Sequence, residues 1–469
     1  MPSTLKPDFC VIGTDPGGLA VAMGAAMFGA SVVLVDTGMP ASDPSRVRAV
    51  ALSAAARAMH MAGVTDRLGV NRGAEADQRK IERHVRAAVE ALAPNEAAGR
   101  LTALGVHVLR GSTHFAGRSS VVVGDVTVRA RRYVIATGGT SAVPDLPGLR
   151  DVDFHTVETI FSVVKCPGHL VILGAQRAGC EAAQAWRRLG AEVTLIDTQG
   201  VLRDEDEELA GFVTRRLRAE GVMVREATSV TRLERRGKTG VRVHIERDGT
   251  AGSLDATHLL VAGPRTPNLA GLGLEAARIR ADEYGIRVDD GLRTSNRRVY
   301  AVGAAAGQPA GAADYHASLL LRRLLFRKAS NTRAEIVPRV VLTDPEIASV
   351  GITEGEARSS RLSHTILRWP LSENARAQAE RETDGMVKLI VGKGGEIFGA
   401  GIAGRSASEA INVFALAASA GLRLGDIAAY VPVDLATAEA GKRAAVTYLA
   451  NTVRSPIARL ASRLLRRLG

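Results

Sequence analysis

Apolar residues in this chain fall into short unbroken runs and longer mixed stretches that alternate. FCVI, VVLVD, YVIA, HLVIL, VTLID and VYAV are bounded by glycine or charge, the pattern of strands buried on both faces of a parallel sheet. GLAVAMGAAMFG and CEAAQAWRRLG lie between such runs and read as helices. The order strand, glycine turn, helix, strand occurs twice. Its first copy runs from Phe9 to Asp36, with Gly13, Gly17 and Gly18 in the turn; its second runs from His169 to Asp197, with Gly174 and Gly179. Each copy ends in an acid about 20 residues past its turn, where a carboxylate can bind ribose hydroxyls. The pattern predicts an α/β chain with two Rossmann-like dinucleotide-binding domains; two βαβ units that bind nothing is the bland alternative. After Ala334 the character changes to PRVVLTDPEIASVGITEGEAR and then GMVKLIVGKGGEIFGAGIAG, a strand pair broken at Gly394-Gly395, before helical patterns close the chain.

Both turns depart from the fingerprint G-x-G-x-x-G, whose middle glycine lets the backbone approach a pyrophosphate. The middle slot holds Asp15 in the first turn and Gln176 in the second. A carboxylate about 5 Å from a phosphate charge, at an effective dielectric of roughly 20, is repelled by about 3 kcal/mol. Glutamine is neutral and can donate a hydrogen bond. Asp197 favours a free ribose 2'-hydroxyl and hence NAD over NADP, with Arg203 the nearest basic residue against that reading.

Composition narrows the classes. With 469 residues, 46% hydrophobic, 4% aromatic and 49 glycines, the chain is globular and multidomain. The formal charge of +12 comes largely from arginines scattered among acids, which reads as solvated surface; without a motif or stacking aromatics, nucleic acid is not expected as a partner. Cys10, Cys166 and Cys180 give neither a disulfide framework nor metal-ligand spacing, so no metal is expected and the chain reads as cytoplasmic, without a secretory signal. Pro16 to Val35 carries no charge, but its glycines and flanking acids favour helix then strand over a membrane span. The tail IARLASRLLRRLG places Ile457, Leu460, Leu464, Leu465 and Leu468 on one stripe among arginines; it suits packing on the protein or a partner subunit, with weak membrane-surface contact as the alternative.

In order, ATGG, the GPRTPN that opens at Gly263, PEIASVGITEGEA and both glycine turns resemble the flavin-dependent pyridine nucleotide-disulfide oxidoreductases, the family of dihydrolipoamide dehydrogenase, glutathione reductase and mercuric reductase. The resemblance spans nearly the whole chain. It implies an FAD domain split between 1–150 and 271–334, an NAD(P) domain at 151–270, an α+β dimerisation domain at 335–452 giving a homodimer, and a basic helix at 453–469. It further implies a cysteine pair just past the first acid. The segment reads DTGMPASDPSRVRA, with Ser42 in the second cysteine's place and the stretch for the first missing. Serine cannot cycle through a disulfide. The C-terminal His-Glu base pair of the family is reduced to Asp434 and Glu439. The Gly-Asp that holds the flavin's ribityl chain reads Gly303-Ala304, a loss of about 1.5–3 kcal/mol. With Asp15, FAD would weaken by roughly three to four orders of magnitude. Thr137-Gly138, Asp36 and the pair Arg46 and Glu181 match retained flavin contacts. The resemblance thus leads to an FAD-dependent NADH oxidoreductase without disulfide exchange, passing electrons to an unidentified acceptor. The alternative is a catalytically reduced paralogue, a dimerising scaffold or nucleotide-responsive partner.

Overall fold

The computed structural model describes residues 3–38, 45–64, 75–96, 98–308, 310–328 and 331–453. Each of its three larger sheets has five strands. The first runs in the order Val299–Ala301, Arg132–Ile135, Phe9–Ile12, Val32–Asp36, Val106–Arg110, with every pairing parallel. Phe9–Ile12 is buried at all four positions, which is why its sequence shows no polar alternation. Helices Pro16–Met27 and Ala313–Phe326 cover one face, closing Leu19, Val21 and Leu320 over Val11, Leu34 and Val134. Phe115, Val121, Leu272 and Ile279 close the other.

The second sheet is also parallel, in the order His155–Thr156, His258–Val261, His169–Leu173, Glu192–Ile196, Met223–Arg225. Helices Arg177–Arg188 and Glu207–Ala219 pack on one side, with Trp186 and Leu209 in that core. An antiparallel meander, Ser229–Arg236, Gly240–Arg247 and Thr250–Ala256, packs Leu233 and Val243 on the other. The two parallel units repeat each other to the hydrogen bond. Gly13 N donates to Val35 O at 2.9 Å, as Gly174 N does to Ile196 O at 2.8 Å. Ala136 N donates to Ile12 O, as Ala262 N does to Leu173 O.

The third sheet is antiparallel, in the order Arg339–Val341, Glu346–Gly351, Ile397–Gly404, Met386–Gly392, His364–Pro370, and the strand pair expected around Gly394-Gly395 forms. Its apolar face closes on Phe414, Ile427 and Ala444. Buried polar links tie this unit to the second. Gln184 donates to Asp344 O at 2.8 Å and accepts from Asp344 N at 2.7 Å. The Arg188 side chain, 4% exposed, pairs with Glu220 at 2.6 Å and Asp344 at 2.9 Å. Lys388 reaches Asp206 at 2.8 Å, Glu208 at 3.0 Å and Glu354 at 2.7 Å. Among the described residues no helix is long and apolar enough to cross a membrane. Ser42 and the tail beyond Val453 lie outside the described residues.

Candidate functional site

Two glycine cradles at the carboxyl ends of the parallel strands form the site. In the first, Gly13 has φ +97° and turns against Ala136 and Thr137, so closely that a Cβ would strike their backbone. Helix Pro16–Met27 then starts at Asp15, which is its N-cap, with Pro16 at the first helical position. Asp15 Oδ1 accepts from Gly18 N at 3.1 Å. The carboxylate thus takes a helix-start amide that a phosphate oxygen would use. Burial pushes the Asp15 carboxyl up to about 6, against the opposing pull of the Gly18 and Gly17 amides and Arg265.

The rest of this cradle closes around the same carboxylate. Gly303 has φ +59°, and a Cβ there would lie 2.8 Å from Asp15 Oδ2. Ala304 follows in the turn Gly303–Ala306. The amide of Gly303 donates to Nδ1 of His316 at 3.4 Å, an imidazole that burial pushes down to about 4 and keeps neutral. Gly138, with φ +66°, accepts from Asn268 N through its carbonyl, and Thr137 O accepts from the Asn268 side chain at 3.1 Å. Thr137 Oγ1 is buried without a hydrogen-bond partner among the described residues. Asp36 ends its strand by accepting from Gly38 N at 3.0 Å and pairs with Arg110 at 3.5 Å.

The family resemblance implies FAD in this cradle, with its diphosphate at the helix start. The residues present do not fit that group. The position that must approach a diphosphate carries an anion already bonded to the helix amide. The nearby cation, Arg265, is directed to the Gly139 carbonyl and to Glu158.

The second cradle has the same backbone and a different occupant. Gly174 has φ +108°, with its Cβ position 2.6 Å from Ala262 O, and Gly179 packs directly on the Gly174 carbonyl. Gln176 is the N-cap of helix Arg177–Arg188 but makes no side-chain cap bond. Its Nε2 is buried and has no partner among the described residues. A helix start whose amides meet no capping side chain, beside an unused amide donor, fits an anionic diphosphate. Asp197 holds the turn together, accepting from Ala175 N and Gln199 N at 2.8 Å each and from Gly200 N at 3.2 Å. Sequence reading gave Asp197 only a ribose role. A carboxylate has lone pairs enough for both. Gly263, past the strand His258–Val261, has its Cβ position 2.8 Å from Ala142 O, so only a glycine lets these segments approach.

Between the cradles, Arg46 at the start of helix Ser45–Val64 meets Glu181 on the second-cradle helix at 3.4 Å. Glu181 is 4% exposed and also accepts from Leu342 N at 2.8 Å. The structure therefore brings together the pair that the family resemblance implied. Glu439 stands elsewhere, at the start of helix Glu439–Val453, where it accepts from Arg443 at 2.7 Å; Asp434 is exposed on the preceding loop. Among the described residues no His, Cys, Asp or Glu cluster is arranged to hold a metal.

Comparison with known proteins is consistent along the chain. Residues 7–318 match the model of the pyridine nucleotide-disulphide oxidoreductases, and residues 337–445 match that family's dimerisation domain. A mercuric reductase of Streptomyces lividans is 31% identical over 464 residues, covering 95% of this chain and 97% of its own. A dihydrolipoyl dehydrogenase of Bacillus subtilis (strain 168) is 30% identical over 440 residues, covering 90% and 92%. Among solved structures, LpdA from Mycobacterium tuberculosis shares the fold at a TM-score of 0.84 with 23% identity, over 95% of this chain and 99% of its own. The HOCl-induced flavoprotein disulfide reductase RclA of Escherichia coli shares it at 0.81 with 22% identity, over 94% and 99%.

Proposed function

Since this chain belongs to the FAD-dependent pyridine nucleotide-disulfide oxidoreductases, we propose that it is a nicotinamide-nucleotide-responsive dimer of that family which performs no disulfide exchange. The observation that carries the reading is an intact second cradle in a chain without a redox dithiol. Cys10 and Cys180 are fully buried on different units, and burial raises both thiols, that of Cys10 to about 12. Cys166 is partly buried and also raised by burial, with Sγ directed to Leu189 O. A thiol held protonated is neither nucleophile nor electron carrier.

Gly174, Gly179 and Gln176 would hold the dinucleotide's diphosphate, and Asp197 its adenosine ribose. The nicotinamide supplies a hydride when bound. What this chain's residues do is bind and orient the nucleotide and place the Glu181 carboxylate, neutralised by Arg46, on the same helix. NAD(H) is favoured over NADP(H) because a 2'-phosphate would face Asp197. A homodimer follows from the dimerisation domain, where Val431 and Val433 are 88% and 80% exposed. A cytoplasmic setting is supported by the three unpaired thiols.

Titration of the full chain with NADH, followed by calorimetry and by tryptophan fluorescence, to which Trp186 on the second-cradle helix and Trp369 both contribute, tests this. Micromolar binding, weaker for NADPH, with no NADH-driven reduction of an aromatic disulfide, is expected. Absence of NADH binding, or steady disulfide turnover, would refute it. One observation favours the other reading, an FAD enzyme with an unidentified acceptor: the formed Arg46–Glu181 pair. A flavin absorption band that NADH bleaches in the absence of air would establish that reading instead.

A further inference from the structure

The two cradles are copies of one backbone motif, and the contrast between them says more than either alone. At the first, the N-cap side chain is an acid bonded to the helix amides; at the second, it is an amide that makes no cap bond. We propose that the Asp15 carboxylate is a built-in anion that occupies the first cradle and excludes a dinucleotide's diphosphate from it. This goes beyond the reading of the second cradle and stands or falls separately.

Several observations converge on that occupancy. Asp15 Oδ1 takes the Gly18 amide at 3.1 Å, the bond a phosphate oxygen would need. Oδ2 lies on the opposite wall, against Gly303, whose φ of +59° and missing side chain leave room for it. A Cβ at Gly138 would be 3.5 Å from the Asp15 Cβ, so the third wall is in ordinary contact with the stem of the side chain. The Asp15 side chain thus touches three glycine positions of the cradle, with its carboxylate on Gly18 and Gly303.

The charges around it reinforce exclusion. From the strand Arg265–Pro267, Arg265 exerts only a long-range pull, since its guanidinium is spent on Gly139 O and Glu158. From the helix Ala313–Phe326, Asp314 adds like charge, and His316 adds none because it stays neutral. A second anion entering here therefore meets repulsion and a preoccupied donor. Protonation removes the first of these. Because burial holds the carboxyl near 6, exclusion relaxes as the pH falls below that value.

The test uses the full chain and two variants, Asp15→Asn and Asp15→Gly. Asparagine keeps the cap without the charge and guards against loss of the fold; glycine removes the side chain altogether. FAD is titrated against each at pH 7.5, with bound flavin read by fluorescence quenching and by absorbance after gel filtration. NADH binding at the second cradle is measured in parallel as the control for folding. Removing the charge is expected to tighten FAD by up to about thirtyfold at pH 7.5 in Asp15→Asn, the limit that protonation of a carboxyl near 6 sets, and by at least as much in Asp15→Gly, with wild type purified free of flavin. Wild type should itself tighten by tenfold or more between pH 7.5 and 5, while Asp15→Asn stays flat. A wild-type protein that retains one flavin per chain overturns the proposal. So does FAD affinity unchanged in folded Asp15→Asn and Asp15→Gly, which would place the barrier elsewhere in the cradle.

Discussion

Replacing Asp15 by Asn should stabilise the protein, and by an amount that depends on pH in a calculable way. The Asp15 carboxyl rises from 3.8 to about 6 in the fold, with burial the first cause. A raised carboxyl means that the folded chain binds the proton more tightly than the unfolded chain, so ionisation costs the fold. The cost is small below 3.8, grows between 3.8 and 6, and is constant above 6. With those two values it is about 0.5 kcal/mol at pH 4, about 1.6 at pH 5 and about 3 at pH 7.5, on the scale of 1.36 kcal/mol per unit. Asparagine caps a helix about as well as aspartate, so the Gly18 bond is kept and the charge penalty alone is removed. Urea unfolding of wild type and Asp15→Asn at the three pH values reads the gap directly. A variant that gains stability progressively from pH 4 to 7.5 is expected. A gap that is flat with pH, or that favours wild type at neutral pH, would show that the carboxylate is not desolvated and that the closed cradle has been misread.

Lys388→Met should cost about 3–5 kcal/mol, because a side chain 4% exposed leaves Asp206, Glu208 and Glu354 facing one another without it; thermal unfolding measures this. The Glu208 and Glu354 carboxyls are held below 4.5, chiefly by the Lys388 and Arg368 bonds set against desolvation, so the stability they add is present above 4.5 and is lost as the pH falls through their lowered values. Glu181→Gln should cost less than about 1 kcal/mol in stability, since Arg46 is 45% exposed and glutamine can still accept from Leu342 N. Gly174→Ala should weaken NADH at least about tenfold by calorimetry, as φ +108° and a Cβ 2.6 Å from Ala262 O force the second cradle open.

The parallel strands were legible because burial on both faces removes polar alternation and leaves runs such as HLVIL, and the two cradles because positive-φ turns demand glycine. Asp15 was visible as a charge in the turn, but its part as a helix cap was not. Read against the dinucleotide fingerprint it is a misplaced charge; read as Asp-Pro before an apolar run it is a helix start, and that second signal describes what its side chain does. Asp197 was found at the strand end, yet its grip on Ala175, Gln199 and Gly200 depends on how the turn folds back, which spacing alone does not fix. The links of Gln184 to Asp344 and Lys388 to Asp206 join residues 160 and 182 positions apart. No local pattern carries them, since a buried lysine in a strand is indistinguishable in sequence from one at the surface.

Those long-range links bear on how differently the two cradles are tied to the rest of the fold. Gln184 and Arg188 lie on the second-cradle helix, and both grip Asp344 of the third unit. Each is buried, so losing any partner strands a polar group at a cost of about 1–3 kcal/mol or more, whatever the protein catalyses. The second cradle is thereby held by residues whose requirement is packing. The first is under no such constraint at position 15: a side chain there can end its own helix and satisfy its own amides without touching another unit. The same backbone can therefore lose a diphosphate site at one cradle by one substitution that is locally satisfied. Both cradles have lost the middle glycine, and they differ in what replaced it: Asp15 caps its helix, whereas Gln176 makes no cap bond.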